Sequence, residues 1–255
     1  MHDVLVAGHR LEVRIHLPRD PDRPSIVFLH EGLGSARQWK EFPARLSALT
    51  GCGFLAYSRW GYGGSDARPR PWPADFLEPE AAVVLPALLH ATGITRPVLF
   101  GHSDGATIAL MYAAALPDGV RGVISEAAHV MLEEISLQGI TGARDRFLHG
   151  DLRARLRSQH GDHVEDTVLG WTEHWLRPQF RDWDIRARLR AIQCPVLVIQ
   201  GRGDDFGTLD QVDAIAAHVG GPSETLVLDA CGHIPHKERQ REVLEAAATF
   251  IRRLR

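Results

Sequence analysis

The stretch Pro97-Val98-Leu99-Phe100-Gly101-His102-Ser103-Asp104-Gly105-Ala106 decides how this chain is read. An apolar run leads into it, and alanine-rich Ala106–Ala115, ended by Pro117, leads out. Between them stands G-x-S-x-G. A serine at the tip of so tight a strand-to-helix turn has a strained backbone, and side chains two positions to either side would collide with it. Glycine removes the collision. The turn lifts the Ser103 hydroxyl out of a sheet and sets it at a helix N-terminus, where backbone N–H groups favour the negative charge of acyl transfer. An ordinary turn with a capping serine is the weaker reading, because a strand before and a helix after are the context this motif requires.

Outward from this turn, short apolar runs recur at Ser25–Leu29, Phe54–Tyr57, Val120–Ser125, Pro195–Ile199 and Thr225–Leu228. Such runs fit strands buried on both faces, as in a parallel sheet. Val4–Val6 and Leu11–Ile15 alternate apolar and polar residues around Ala7-Gly8-His9, which predicts an antiparallel hairpin. Helical patterns lie between the strands: Ala36–Leu49, Pro79–Ala91 with Pro86 kinking it or shifting its start, Leu209–Val219 and Glu238–Leu254. Strand and helix alternate, so a doubly wound α/β sheet is expected. From Glu126 to Arg190 the alternation stops. This stretch, rich in Arg, His, Leu and Trp, reads as a helical insertion over the carboxyl edge of the sheet, where ligands bind in open α/β folds. Residues 1–125 and 191–255 then form the core domain and 126–190 a cap.

A serine needs an adjacent base, and in this strand–turn–helix setting the chain order is Ser, acid, His. His233, in Asp229-Ala230-Cys231-Gly232-His233-Ile234-Pro235 just past the strand Thr225–Leu228, is the expected base, with His236 its nearest rival. The acid should end the preceding strand, where Gln200-Gly201-Arg202-Gly203-Asp204-Asp205 offers two aspartates. Either reaches the second imidazole nitrogen, fixing the tautomer. An oxyanion needs two N–H donors. The residue after the nucleophile, Asp104, supplies one, and the loop His30-Glu31-Gly32-Leu33-Gly34-Ser35 the other: Gly32, with Glu31 and Leu33 as alternatives.

Composition bounds the rest. The 255 residues allow one large α/β domain or two small ones. Apolar residues at 44%, charged at 24% and a net charge of −3 give no sign of a nucleic-acid or membrane partner. Cys52, Cys194 and Cys231 make neither a disulfide framework nor a zinc pair. No apolar run approaches a membrane span and the N-terminus shows no signal-peptide core, so a cytoplasmic location is expected. No cofactor or metal is called for. The expected partner is a small-molecule substrate, with a homodimer kept open as the assembly.

These motifs resemble the α/β-hydrolase superfamily, in the branch of small esterases and meta-cleavage-product hydrolases. The resemblance rests on His30-Glu31-Gly32-Leu33-Gly34, Ser58-Arg59-Trp60-Gly61-Tyr62-Gly63-Gly64-Ser65-Asp66, Gly101–Ala106, Gly201-x-x-Asp204 and Cys231-Gly232-His233. It implies a mostly parallel eight-stranded sheet with a helical cap after the sixth strand, and it selects Asp204 over Asp205. One departure stands out. The family loop reads His-Gly-x, whereas here Glu31 takes the first glycine's place and Gly32 the donor's. Glu31 is expected to bond to Arg59, Arg37 or the cap, or to recognise a polar substrate. Cap aromatics Trp171 and Trp175, with Trp183, Phe147 and Phe180, are expected either to line an apolar acyl pocket or to glue the cap down. The resulting expectation is a serine hydrolase of a carboxylic ester, thioester or lactone. The alternatives are a C–C bond hydrolase of vinylogous diketo acids, disfavoured by Ile234 where such enzymes carry an aromatic, and a non-catalytic receptor on the same scaffold.

Overall fold

The computed structural model describes residues 1–254. Its strands are β1 (His2–Val6), β2 (His9–His16), β3 (Ser25–Leu29), β4 (Gly53–Tyr57), β5 (Val98–His102), β6 (Gly122–Glu126), β7 (Val196–Gly201) and β8 (Ser223–Leu228). They form one sheet in the order β1-β2-β4-β3-β5-β6-β7-β8. β1 and β2 are the expected hairpin, closed by Ala7 and Gly8 with φ of 49° and 84°, the left-handed pair that matches strand twist. β2 runs antiparallel to β4, and every later neighbour is parallel. β3 to β7 are buried at every residue, which is why they read as unbroken apolar runs rather than alternating ones.

Helices cover both faces. Leu85–Thr92 and Asp104–Ala115 pack on one, with Ile108, Leu110 and Leu88 against Val27 and Leu99. Phe42–Thr50 and Gln240–Arg253 pack on the other, with Phe42, Leu46 and Phe250 against Phe28 and Phe100. Two prolines redraw expected helices. Ala36–Leu49 is not continuous: a 3-10 turn covers Ala36–Trp39, Lys40 takes φ 48°, and the α-helix begins at Phe42. Pro43 is tolerated only in a first turn, so the helix restarts there. Pro86 does not start a new helix: α-helix begins at Leu77, widens into a π turn over Glu80–Val84 and resumes at Leu85, the wide turn lying in the turn before Pro86, which has no N–H to give to the helix ladder.

Between β6 and β7 lie the helices Glu134–His149, Leu152–His160 and Val164–Trp175. Glu126, expected at the start of this insertion, instead closes β6, because pairing with β5 sets Glu126 opposite His102. For the same reason β6 begins at Gly122 rather than Val120, opposite Val98.

These helices are tied to the loops after β3 and β4 through His160, which is fully buried. Its Nε2–H donates to the Leu33 carbonyl at 3.0 Å, and its Nδ1 accepts the Gly63 N–H at 2.9 Å. These partners require the neutral ring, and burial pulls its pKa down to about 4. Thr167 adds a hydroxyl bond to the Gly61 carbonyl at 2.6 Å. An unfolded chain takes up this proton near pH 6.5 and the folded one only near 4, so below about 6.5 the unfolded state binds more protons and stability falls. Between those values the loss from this one group is on the order of 3 kcal/mol. Urea midpoints measured from pH 7 to pH 4 should decline, and His160→Gln should flatten part of that decline; an equal slope in the variant would contradict the assignment.

Candidate active site

Because β3 to β8 run parallel, their carboxyl ends share one rim. The pairs Leu29–Gly101, His102–Glu126 and Gly201–Leu228 stand side by side across the sheet. The loops after β3, β5, β7 and β8 are therefore neighbours, although the chain separates them widely.

At the end of β5, Ser103 has φ 53° and ψ −120°, a strained conformation for a residue with a side chain. A Cβ on Gly101 would lie 2.3 Å from the Gly105 carbonyl oxygen, and one on Gly105 would lie 2.1 Å from that of Leu29. Both glycines of the motif are thus imposed by backbone contact. The Ser103 N–H donates to the Glu126 carbonyl at 2.9 Å, and the Ser103 carbonyl accepts from Ala106 and Thr107 at 2.9 and 3.0 Å. The turn is held from β6 on one side and by the new helix on the other.

Ser103 Oγ lies 3.1 Å from His233 Nε2. His233 Nδ1 lies 2.8 and 2.9 Å from the two carboxylate oxygens of Asp204. Asp204 is buried and also accepts the Phe206 N–H at 2.8 Å. Burial pushes its carboxyl up, but the His233 bond and charge, with the Phe206 amide, outweigh burial and hold it below the usual range. Asp205, next in sequence, is exposed. The Asp204 and His233 loops interlock: Gly203 N–H donates to the Cys231 carbonyl at 2.9 Å, and a Cβ on Gly201 would lie 2.2 Å from the Gly232 oxygen. His236, the rival base, is buried against Glu126, its Nδ1 2.6 Å from Oε1.

A narrow cleft opens beside Ser103, lined by Asp104, His129, Ile140, Trp171, Trp175 and Phe206 among others. Trp171 Nε1–H donates to Asp104 Oδ2 at 2.9 Å, and a Cβ on Gly32 would strike the same indole at 2.2 Å. Trp171 therefore spans the loop after β3 and the residue after the serine. Trp175 packs edge-on against Trp183 at 5.1 Å. Burial raises the Asp104 carboxyl, while Arg59, His129 and the Trp171 N–H counter it. Arg59 Nη2 lies 3.8 Å from Asp104 Oδ2 and donates to the Glu31 carbonyl at 2.9 Å. His129 donates from Nε2 to the Phe206 carbonyl at 3.0 Å, and its burial lowers its pKa. The backbone of Asp104 sits in the first helical turn, where N–H groups have no partner within the helix, and Gly32 lies in the adjoining loop.

Glu31 departs from expectation. It is not among the residues lining the cleft, and its carboxylate meets neither Arg59 nor Arg37; Arg37 is taken by Glu12 at 2.6 Å. Instead Oε2 faces His102 Nδ1 at 3.5 Å. The physical reason is the turn 31–34, closed by Gly34 N–H to the Glu31 carbonyl at 3.1 Å, which folds the side chain back over Gly34. Neither a motif role nor a periodic pattern marks His102 or His129 in the sequence. Glu126 carried the one available signal, an acid at the end of a β-strand on the shared rim.

Residues 26–246 match the model of the alpha/beta hydrolase family, and the chain belongs to that family. Among particular proteins, it is similar to the 2-succinyl-6-hydroxy-2,4-cyclohexadiene-1-carboxylate synthase of Salmonella enteritidis PT4, at 27% identity over 93% of this chain and 97% of that protein. In fold it is similar to the enol-lactonase of Burkholderia xenovorans LB400, with a TM-score of 0.78 and 22% identity over 98% of this chain and 99% of that one. A thermophilic esterase from Thermogutta terrifontis gives a TM-score of 0.76 at 17% identity, over 98% and 97% of the two chains.

Gly105→Ala should destabilise the protein by roughly 1–3 kcal/mol, since its Cβ meets fixed backbone rather than a movable side chain. Chemical denaturation measures this directly, and a neutral result would mean that the β3–helix contact is looser than described.

Proposed function

We propose that this protein is a serine hydrolase of a small, uncharged carboxylic ester, lactone or thioester. The observation that carries this is the continuous chain Ser103 Oγ–His233 Nε2 at 3.1 Å and His233 Nδ1–Asp204 at 2.8 Å, standing on a strained turn. In this reading Ser103 attacks the carbonyl carbon as His233 takes the hydroxyl proton. The amides of Gly32 and Asp104 receive the oxyanion. Collapse passes the His233 proton to the leaving alcohol, and water, activated by the same imidazole, releases the acid. Asp204 holds the ring with Nε2 toward the serine and stabilises the imidazolium.

The segment after β6 acts as the cap, supplying Ile140, Trp171 and Trp175 to the cleft. No Lys or Arg lines that cleft among the described residues, and the nearby Arg59 is already engaged by Asp104 and the Glu31 carbonyl. This favours an uncharged acyl group over the carboxylate named for the synthase relatives. The three cysteines are free and buried, in keeping with a cytoplasmic setting. Among the described residues no helix is long and apolar enough to cross a membrane.

Ser103→Ala should fold normally, lose all labelling by a fluorophosphonate and lose the burst from p-nitrophenyl acetate. A wild-type chain that neither labels nor turns over any ester, thioester or lactone would overturn the reading. Asp204→Asn should reduce turnover by about 10⁴-fold through the wrong imidazole tautomer, whereas Asp205→Asn should stay close to wild type. The opposite ranking in steady-state assays would reassign the acid.

A further inference from the structure

None of Glu31, His102, Glu126 and His236 lines the cleft, yet all four converge behind His233. His102 is fully buried. Its Nε2–H donates to the main-chain carbonyl of His233 at 2.7 Å. Its Nδ1 has no hydrogen-bond partner within ordinary reach, and the group it faces is Glu31 Oε2 at 3.5 Å. The His102 ring lies 5.1 Å from the His233 ring and 5.1 Å from that of His236. Glu126 Oε1 accepts from His236 Nδ1 at 2.6 Å and from the His236 N–H at 3.2 Å, while its Oε2 is buried and unpartnered.

The titratable groups around His102 are therefore Glu31 from the loop after β3, Glu126 from β6, and His233 and His236 from the segment after β8. Burial disfavours a charged His102, but the facing Glu31 carboxylate and the charge of Glu126 prevail and raise its pKa. For Glu31, burial is outweighed by the facing His102, with Lys237 and His30 adding to it, so its carboxyl is held well below the usual range. Glu31, half-buried, and His102, fully buried, thus face each other as a close polar pair at 3.5 Å, a contact that adds little net stability but favours one arrangement of the two side chains.

We propose that Glu31 and His102 form a positioning pair that holds the His233 loop within reach of Ser103, coupling the loop after β3 to the base through the carbonyl of residue 233. The proposal rests on the reading of His233 as the base. It gives Glu31 a task at the place where the family resemblance expects glycine. A carboxylate that orients a histidine is a recurrent device for fixing a neighbouring group. Here the oriented histidine grips backbone, so a lapse moves the whole base loop. Small misplacements of a catalytic group cost up to about a hundredfold in rate.

The test uses Glu31→Gln, His102→Ala and His102→Gln in the full chain, with active sites counted by fluorophosphonate titration. Glu31→Gln and His102→Ala should lower kcat per titrated serine by about tenfold to a hundredfold, with KM changed by less than about twofold. His102→Gln, whose amide N–H reaches the position of imidazole Nε2, should recover most of the loss. Wild-type kcat in Glu31→Gln would overturn the proposal even if Tm fell, and this variant decides the matter if His102→Ala does not fold. Imidazole nitrogen NMR probes the pairing independently of turnover. In Glu31→Gln, His102 should titrate at lower pH and the His233 ring signals should shift; unchanged spectra would refute the pairing. A wild-type protein that fails to label would sink the hydrolase reading alone, leaving the spectra to judge the pairing.

Discussion

Everything at the rim depends on one backbone conformation, the left-handed Ser103 at φ 53°. Such a residue costs on the order of 1–3 kcal/mol and persists only where its surroundings over-determine it. Here they do. The β3 carbonyl of Leu29 presses on Gly105, the Gly105 carbonyl presses on Gly101, and the Glu126 carbonyl receives the Ser103 N–H. The strain is borne by strand pairing on both sides of β5, so the serine is presented at the end of a fully buried strand. Its partners, in contrast, arrive on loops, and those loops need fastening of their own.

That fastening is electrostatic. Asp204 meets His233, Glu126 meets His236, Glu31 faces His102 and Asp104 faces Arg59, all at least partly withdrawn from water. Taking so many polar and ionisable groups out of solvent is expensive, and well-packed apolar residues would hold a fold as firmly. What these polar pairs add is directional: each contact favours one orientation, and together they leave His233 little freedom to swing. Trp39 and Phe42 pack against the His236 ring at 4.5 and 5.6 Å, so the chain of polar contacts ends in aromatic core rather than in solvent.

The sheet and the three catalytic candidates were legible because they obey local rules. Parallel buried strands leave continuous apolar runs, and G-x-S-x-G announces a turn that no other residues allow. His233 and Asp204 stood out by lying just beyond strands. Helix continuity is less legible, because Pro43 restarts a helix that the apolar pattern alone runs through, and the edge of β6 is set by register with β5, not by hydrophobicity. Glu31 was visible as an anomaly but not as a partner of His102. Its direction is set by a four-residue turn and by a histidine distant in sequence, and neither leaves a periodic trace. His102 was hidden in plain view as the variable residue of the serine motif, since its contact is with a main-chain carbonyl, and a main-chain carbonyl carries no sequence signal.

The Trp171 indole, hydrogen-bonded to Asp104 and packed against Gly32, has a consequence for observing this molecule at work. An indole held by a carboxylate beside the Ser103 hydroxyl is an intrinsic optical probe. An occupant of the cleft changes the polarity and packing around Trp171 and Trp175, so the share of the protein's emission that comes from these two of its six tryptophans should respond to occupancy without an added dye.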